Sequence, residues 1–176
     1  NPDLISLTQL VTVGDLNKAD LPTQGVAENR INFQLCHEVR TPLLTKAAHR
    51  FLEDGSDSVR QQNFAEFCQQ QASWLNDYAF YRAMRQAQNH KAWQDWPEDI
   101  RDRKEAALQQ WGTRLGSKIS QEKYLQFVFF EQWFALKGYA NQQGIEIFGD
   151  LPIFVALDSA DVWANRDLFQ LDEQGR

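Results

Sequence analysis

Cysteine and histidine are scarce in this sequence. Its 176 residues include two cysteines, Cys36 and Cys68, and three histidines. Two thiols in a chain of this length do not form a disulfide framework, so we expect both to be free and buried, as in a reducing cytoplasm. The cysteines and histidines also lack the spacing of a zinc site, and we predict no metal and no cofactor.

An excess of positive charge is missing as well. The chain has 18 Lys and Arg against 24 Asp and Glu, a formal net charge of −6, and the basic residues are scattered. This balance disfavours nucleic acid and anionic membrane surfaces as partners. The longest apolar runs, such as residues 153–157, fall far short of the roughly 20 residues that span a bilayer. We therefore expect a cytoplasmic protein without a membrane segment.

Proline and glycine are few, and they delimit helical patterns. Thr41-Pro42 predicts a helix start, because threonine accepts hydrogen bonds from the first turn and proline has its φ already set. Gly55 predicts the end of that helix. Apolar residues at helical spacing predict further helices over residues 58–68, 73–84, 97–111 and from about 117–120 to Gly144. The last of these is expected to bury Tyr124, Phe127, Val128, Phe134 and Ala135.

The pattern changes abruptly after Gly144. Residues 145–148 are short, apolar and β-branched, which predicts a buried strand, and Gly149-Asp150 follows at once. In α/β barrels the carboxyl ends of the strands form the active-site face, so Asp150 is a candidate functional residue. The structural alternative is that Asp150 caps the turn into Leu151-Pro152.

A single strand cannot form a sheet, because its backbone N–H and C=O groups would have no partners. Residues 169–176 further resemble one arm and the turn of a hairpin. We therefore expect the chain to be a fragment of a longer protein. A free-standing helical interaction module is the alternative, and the strand over 145–148 together with the absence of an exposed heptad stripe argues against it.

Three stretches near the end of the chain resemble a known family: Gly149-Asp150-Leu151-Pro152-Ile153-Phe154-Val155-Ala156, Asp158-Ser159-Ala160-Asp161-Val162-Trp163-Ala164-Asn165 and Leu168-Phe169-Gln170-Leu171-Asp172. They resemble the third-strand region of the 4-alpha-glucanotransferases, the amylomaltase group related to the α-amylases. Upstream, residues 74–78, 93–97, 124–127 and 132–133 are similar to the helical insertion of that family.

The resemblance implies a mainly α chain, composed of a helical subdomain and the third-strand segment of a truncated (β/α)8 barrel, a fold that typically needs about 250 residues. It divides the chain into a partial barrel segment and linker over 1–40, a helical insertion over 41–143, and a strand with its active-site loop over 144–176. The implied substrate is a maltooligosaccharide or another α-1,4-glucan.

The implied reaction is a retaining double displacement between glucan chains. An Asp forms the glycosyl-enzyme, a Glu protonates the leaving oxygen, and an acceptor sugar replaces water. The family's nucleophile lies in an Arg-Ile-Asp motif that this sequence does not contain, so we assign no catalytic residue and expect the fragment to be inactive. An α-amylase-like hydrolase is the alternative, since both reactions share the covalent intermediate.

The resemblance also implies substrate-binding residues. Asp150 matches an Asp that lines a donor-side sugar subsite, where a carboxylate accepts hydrogen bonds from hydroxyl groups. Asp158 is a second candidate, although an N-cap of a short helix is the favoured interpretation. Trp163 is the tryptophan expected nearest the cleft, where its ring would stack on a pyranose. The family often has Tyr at the position of Phe154, so no hydrogen-bonding role is transferred to it.

Overall fold

The computed structural model describes residues 1–22, 31–53 and 58–175. Within these ranges the regular structure is helical and contains no β-strand, which confirms a mainly α chain. The α-helices are α1 Leu7–Thr12, α2 Phe33–Glu53, α3 Val59–Gln70, α4 Ala72–Ala87, α5 Glu98–Arg101, α6 Glu105–Arg114, α7 Gly116–Gln142 and α8 Ala160–Ala164. Four short 3-10 turns accompany them, at Pro2–Leu4, Lys18–Asp20, Trp93–Asp95 and Arg166–Leu168.

The predicted strand over residues 145–148 is absent from the described structure, where these residues follow α7 without regular hydrogen bonding. The same holds for residues 169–172, the predicted hairpin arm, although a turn does follow it, with the N–H of Gly175 donating to the carbonyl of Asp172. A strand needs a neighbour to pair its backbone groups, and the described part of the chain offers none.

Helix α2 does not begin at Thr41, as the Thr-Pro pattern predicted. It begins at Phe33 and continues through Pro42. Asn32 caps it, since its side-chain oxygen accepts from the N–H of Leu35 at 3.1 Å. Proline removes one backbone hydrogen bond inside a helix, but the buried residues of the following turns, such as Leu44, hold the rest of α2 in place. The predicted stop at Gly55 lies outside the described residues.

The helices predicted over 58–68, 73–84 and from 117–120 to Gly144 are confirmed as α3, α4 and α7, with ends shifted by a few residues. Tyr124, Phe127 and Val128 are buried as expected. Phe134 and Ala135 are not: both are exposed, and Phe134 keeps 58% of its surface. The periodicity was correct for α7, but the side chains of Phe134 and Ala135 remain exposed in the described chain.

The helix predicted over 97–111 is two helices, α5 and α6. Arg103 separates them and has a φ of 55°, in the left-handed region. Its guanidinium binds Asp77 at 2.7 Å and lies 4.3 Å from the centre of the Trp163 ring. These contacts hold Arg103 in a conformation that glycine usually provides, so the sequence carried no ordinary sign of the break.

The chain folds as two compact units. The first comprises Asn1–Glu66 and Tyr124–Ile147. Its centre is an aromatic cluster in which Phe51 contacts the rings of Phe64, Tyr124 and Phe127 at centroid distances of 5.5, 5.1 and 6.1 Å. Such edge and tilted arrangements are those that aromatic rings prefer.

A charged network lies beside that cluster. The guanidinium of Arg60 contacts both oxygens of Asp15 at 2.8 Å and Glu131 at 2.9 Å, and it lies over the ring of Phe51. The hydroxyl of Tyr124 donates to Asp15 at 2.5 Å. Burial by itself would lower the pKa of Arg60, but its bonds to the two carboxylates outweigh burial and raise that pKa. The buried Asp15 is thus fully paired.

The second unit comprises Phe67–Lys123 and Phe148–Arg176. Three tryptophans, Trp93, Trp96 and Trp163, form its centre together with Tyr81 from α4, and each of the four is at most 3% exposed. Residues after α8 also pack on this cluster, including Phe169 and Leu171. Residues on both sides of the last 3-10 turn therefore pack against the helices of the second unit.

Candidate functional site

The candidate site is the irregular segment from residue 148 to 158, which links α7 to α8. Its start is strongly exposed: Phe148, Leu151, Ile153 and Phe154 keep between 85% and 95% of their surface. Asp150 lies among them and is exposed as well. Exposed apolar side chains in such number on a short stretch indicate a surface that another element covers.

The end of this segment is held firmly. The carboxylate of Asp158 accepts a hydrogen bond from the hydroxyl of Tyr81 at 2.6 Å and one from the N–H of Trp93 at 3.3 Å. Arg85 completes the arrangement with an ion pair of 2.8 Å to the second oxygen. Tyr81 and Arg85 are one turn apart on α4, so the helix presents both to the same carboxylate.

Burial raises the pKa of Tyr81, and its hydrogen bond to the Asp158 carboxylate raises it further. The phenol therefore remains a proton donor to Asp158 throughout the physiological range. The indole of Trp93 adds a third tie, since its N–H donates to the carbonyl of Leu157 at 2.8 Å. Asp158 is thus occupied by neighbours from its own unit, and its placement fixes where the segment enters α8.

Asp158 is not the N-cap of the short helix. Ser159 caps α8, because its hydroxyl oxygen accepts from the N–H of Val162 at 3.2 Å. The favoured interpretation of Asp158 is therefore wrong by one residue, and its carboxylate faces α4 instead of the first turn of α8. Asp161 does lie in that first turn, as expected for the helix dipole.

Trp163 is completely enclosed, with no exposed surface. Its ring stacks on Phe80 at 5.7 Å and meets Trp96 edge-on at 5.6 Å, while its N–H donates to the carbonyl of Ile100 at 3.3 Å. The guanidinium of Arg103 covers the remaining face. In this arrangement the ring supports the second unit and offers no face to a ligand.

The structure brings Asp158 and Trp163 together around Tyr81, whose ring lies 6.0 Å from that of Trp163. Among the described residues no hydrogen bond or ion pair joins Asp150 to either of them. The partners that sequence reasoning missed are Tyr81 and Arg85. The one sequence pattern that pointed to these two residues was their four-residue spacing on α4, and that spacing is equally typical of an ordinary half-buried helix face.

Groups of acidic, histidine and cysteine side chains that could hold a metal ion do not occur in the described residues. Likewise, none of the helices described is both long and apolar enough to cross a membrane.

Comparison with known proteins decides the family. The sequence profile of the family described as 4-alpha-glucanotransferase matches residues 1–175. The chain belongs to the 4-alpha-glucanotransferase family. The resemblance of residues 149–172 is therefore confirmed and extends over nearly the whole chain.

Named members of the family show the same extent of similarity. The chain is 42% identical over 175 residues to a 4-alpha-glucanotransferase of Synechocystis, with 99% of this chain and 34% of that protein covered. It is 39% identical over 176 residues to the enzyme of Thermus thermophilus, covering 100% of this chain and 34% of the relative. The chain thus spans about a third of the length of these family members.

The fold of the chain is also that of a solved family structure. An amylomaltase from Streptococcus agalactiae, in complex with acarbose, superimposes with a TM-score of 0.91 at 33% identity. The match covers 99% of this chain and 35% of the amylomaltase chain. The described part of the chain therefore has the fold of the corresponding part of an amylomaltase.

Proposed function

We propose that this chain forms part of an enzyme that transfers α-1,4-glucan segments between maltooligosaccharides by a retaining double displacement. The observation that carries the proposal is the match of residues 1–175 to the 4-alpha-glucanotransferase family, combined with an exposed Asp150 at the start of the candidate segment. A relative with the same fold was solved with acarbose bound, which supports a sugar as ligand.

The chemistry divides between this chain and the remaining two-thirds of a family member. The nucleophilic Asp, the acid/base Glu and the Asp that grips the donor sugar belong to the remainder, since the Arg-Ile-Asp motif is absent from the sequence of this chain. Asp150 contributes a substrate contact: its carboxylate accepts hydrogen bonds from donor-side hydroxyl groups. Such bonds strengthen as charge develops in the oxocarbenium-like transition state.

Residues 145–148 form the third strand of a (β/α)8 barrel when neighbouring strands are present. Ile145 and Ile147 lie in an irregular, non-helical stretch and keep 58% and 37% of their surface, as expected for side chains that lack their barrel partners. The proposed helical insertion over 41–143 begins inside α2, which spans Phe33–Glu53, and residues 1–40 remain the proposed further barrel segment and linker.

In this proposal Asp158 and Trp163 stabilise the segment that carries Asp150. Asp158 is bound by Tyr81 and Arg85, and Trp163 is enclosed, so both fix the path of the segment that carries Asp150. Direct sugar contact by either residue stays a prediction, and it requires the side chain to leave the contacts described above.

The free thiols support a cytoplasmic location. Cys36 and Cys68 are both unpaired and half-buried. Burial raises the pKa of Cys68, which lowers the fraction of reactive thiolate and preserves the thiol in a reducing compartment.

An assay with maltotriose tests whether the catalytic carboxylates lie outside this chain. The purified chain is incubated with maltotriose, and the products are separated by chromatography. We expect neither glucose nor longer maltooligosaccharides above a buffer control, because the nucleophile and the acid/base are not in this chain. Transfer well above that control would place the catalytic carboxylates within residues 1–176 and overturn the proposal.

A further inference from the structure

A groove lies between α4 and α8 in the second unit, and none of its lining residues belongs to the candidate segment. Its volume is about 160 Å³. Helix α4 forms one wall with Ser73, Trp74, Asp77 and Tyr78. Ser73 and Asp77 are four residues apart, as are Trp74 and Tyr78, so the four positions lie on one side of the helix.

The opposite wall is formed by α8 and the residue that follows it. Ala160 and Ala164 are one turn apart, and their small side chains leave the space that the groove occupies. Asp161 and Asn165, also one turn apart, add a carboxylate and an amide at the exposed edge. The amide is oriented, because its nitrogen donates to the carbonyl of Asp161 at 3.0 Å.

The aromatic side of the groove has a fixed shape. The rings of Trp74 and Tyr78 meet at 5.9 Å with an angle of 61° between their planes, so they present two faces in different directions. The indole N–H of Trp74 donates to the side chain of Gln71 at 2.7 Å, which fixes the ring. Rigid aromatic faces stack on the C–H faces of a ligand at little entropic cost.

The polar side of the groove accepts hydrogen bonds. Asp77 binds the guanidinium of Arg103 through one oxygen at 2.7 Å, which offsets its charge and leaves the other oxygen as an acceptor. Within the described part of the chain, Lys and Arg do not line this groove. A phosphate or carboxylate ligand is therefore disfavoured, and the ion pair with Arg103 weakens the attraction of Asp77 for a cation.

From these features we infer that the groove between α4 and α8 binds a neutral sugar, namely a short stretch of an α-1,4-glucan chain. Aromatic faces match the C–H faces of pyranose rings, and the carboxylate and amide groups match their hydroxyls. The inference rests on the proposed function only for the identity of the sugar. The groove would hold a polymer while Asp150 contacts the segment being transferred.

Affinity electrophoresis tests this inference on the chain itself. The chain is run through native gels with and without glycogen, and its retardation gives a dissociation constant. We expect Trp74→Ala to weaken binding about tenfold, as expected for the loss of a stacked aromatic face. Asn165→Ala, an exposed change that leaves the core intact, should weaken binding about threefold, as for one neutral hydrogen bond.

A matched control is Trp133→Ala, which removes a half-exposed tryptophan from α7 in the first unit. It should leave the retardation unchanged. Unretarded wild-type chain, or equal retardation of wild type and Trp74→Ala, would overturn the inference. So would a fluorescence titration in which a lysine-rich peptide binds the groove and maltohexaose does not. Transfer by a family-length enzyme is assayed separately, so an empty groove would leave the proposed function standing.

Discussion

At the scale of single residues, the two candidate aspartates differ by their neighbours. Asp158 is held by Tyr81, which lies 77 positions earlier in the chain, and by Arg85. Asp150 is exposed on an irregular stretch. Residue type and local spacing identified both aspartates as candidates. They could not show that within the described chain only Asp158 has its carboxylate bound by other side chains, because those side chains are remote in sequence.

Asp150 should contribute a modest part of transition-state binding. In a family-length enzyme carrying this chain, Asp150→Asn keeps the shape but removes the charge, so bonds of about 1.5–3 kcal/mol become bonds of about 0.5–1.5 kcal/mol. We expect kcat/KM for maltotriose to fall about five- to thirtyfold, far less than removal of a nucleophile. An unchanged kcat/KM with a lower melting temperature would instead make Asp150 a structural turn residue.

Glu122 should make stability depend on pH. Its side chain is 2% exposed in the second unit, where Gln86 donates to it at 2.8 Å and Arg82 lies 3.6 Å away. Burial raises its pKa more than Arg82, Gln86 and Lys118 lower it. At Glu122 the folded state therefore binds a proton more tightly than the unfolded state, so the contribution of Glu122 to stability falls as pH rises above 4.5, its ordinary pKa.

Glu122→Gln removes this ionisation. Urea unfolding at pH 4, 6 and 8 should show little difference from wild type at the lowest pH and a growing advantage of the variant at higher pH. The exposed Glu105→Gln in the first turn of α6 should give no such advantage, since it removes a favourable charge at a helix N-terminus. A wild-type protein that gains stability relative to Glu122→Gln as pH rises would contradict this account.

At the scale of helices, the spacing of apolar residues predicted those helices whose formation depends mainly on the local sequence. It identified α3, α4 and α7, whose apolar residues recur at helical spacing. It placed the start of α2 at Thr41, because proline usually opens a helix, whereas the cap at Asn32 starts it earlier. It also joined α5 to α6, because the left-handed Arg103 depends on tertiary contacts with Asp77 and Trp163.

Pro42 should destabilise α2, since it is exposed and interior to the helix. Proline costs about 3 kcal/mol more than alanine in a helix interior, and its restriction of the unfolded chain offsets about 0.4–1 kcal/mol of this. We expect Pro42→Ala to raise stability by about 2 kcal/mol, or the melting temperature by about 4–8 °C.

Pro97→Ala is the matched control, because Pro97 lies at the N-cap of α5, where proline has no helical hydrogen bond to remove. It should not raise the melting temperature. If calorimetry shows no gain for Pro42→Ala either, the first two turns of α2 do not form a continuous helix with the remainder.

At the scale of the whole molecule, apolar surface is left uncovered in each unit. In the first unit, Phe134, Leu136 and Tyr139 on α7 keep between 56% and 64% of their surface. In the second, Phe148 and its neighbours up to Phe154 are more exposed still. Sequence patterns predicted burial for Phe134 and for Phe148, and in a family-length protein we expect the exposed residues of both units to be covered, because family members are about three times as long as this chain.

The barrel segment over residues 145–148 stays a prediction for a family-length protein. The sequence stretches at 149–172 were enough to identify the family, which the profile match confirms. They were not enough to give a strand in this chain, because strand formation depends on partners elsewhere. The helices form without partners elsewhere, because each unit contains its own aromatic cluster.

Co-expression tests the central claim most directly. This chain and the remaining two-thirds of a family member, supplied as a second polypeptide, are purified together and assayed with maltotriose. The account predicts a one-to-one complex that produces glucose and longer maltooligosaccharides, while neither polypeptide does so alone. A stable complex without transfer, or transfer by this chain alone, would contradict it.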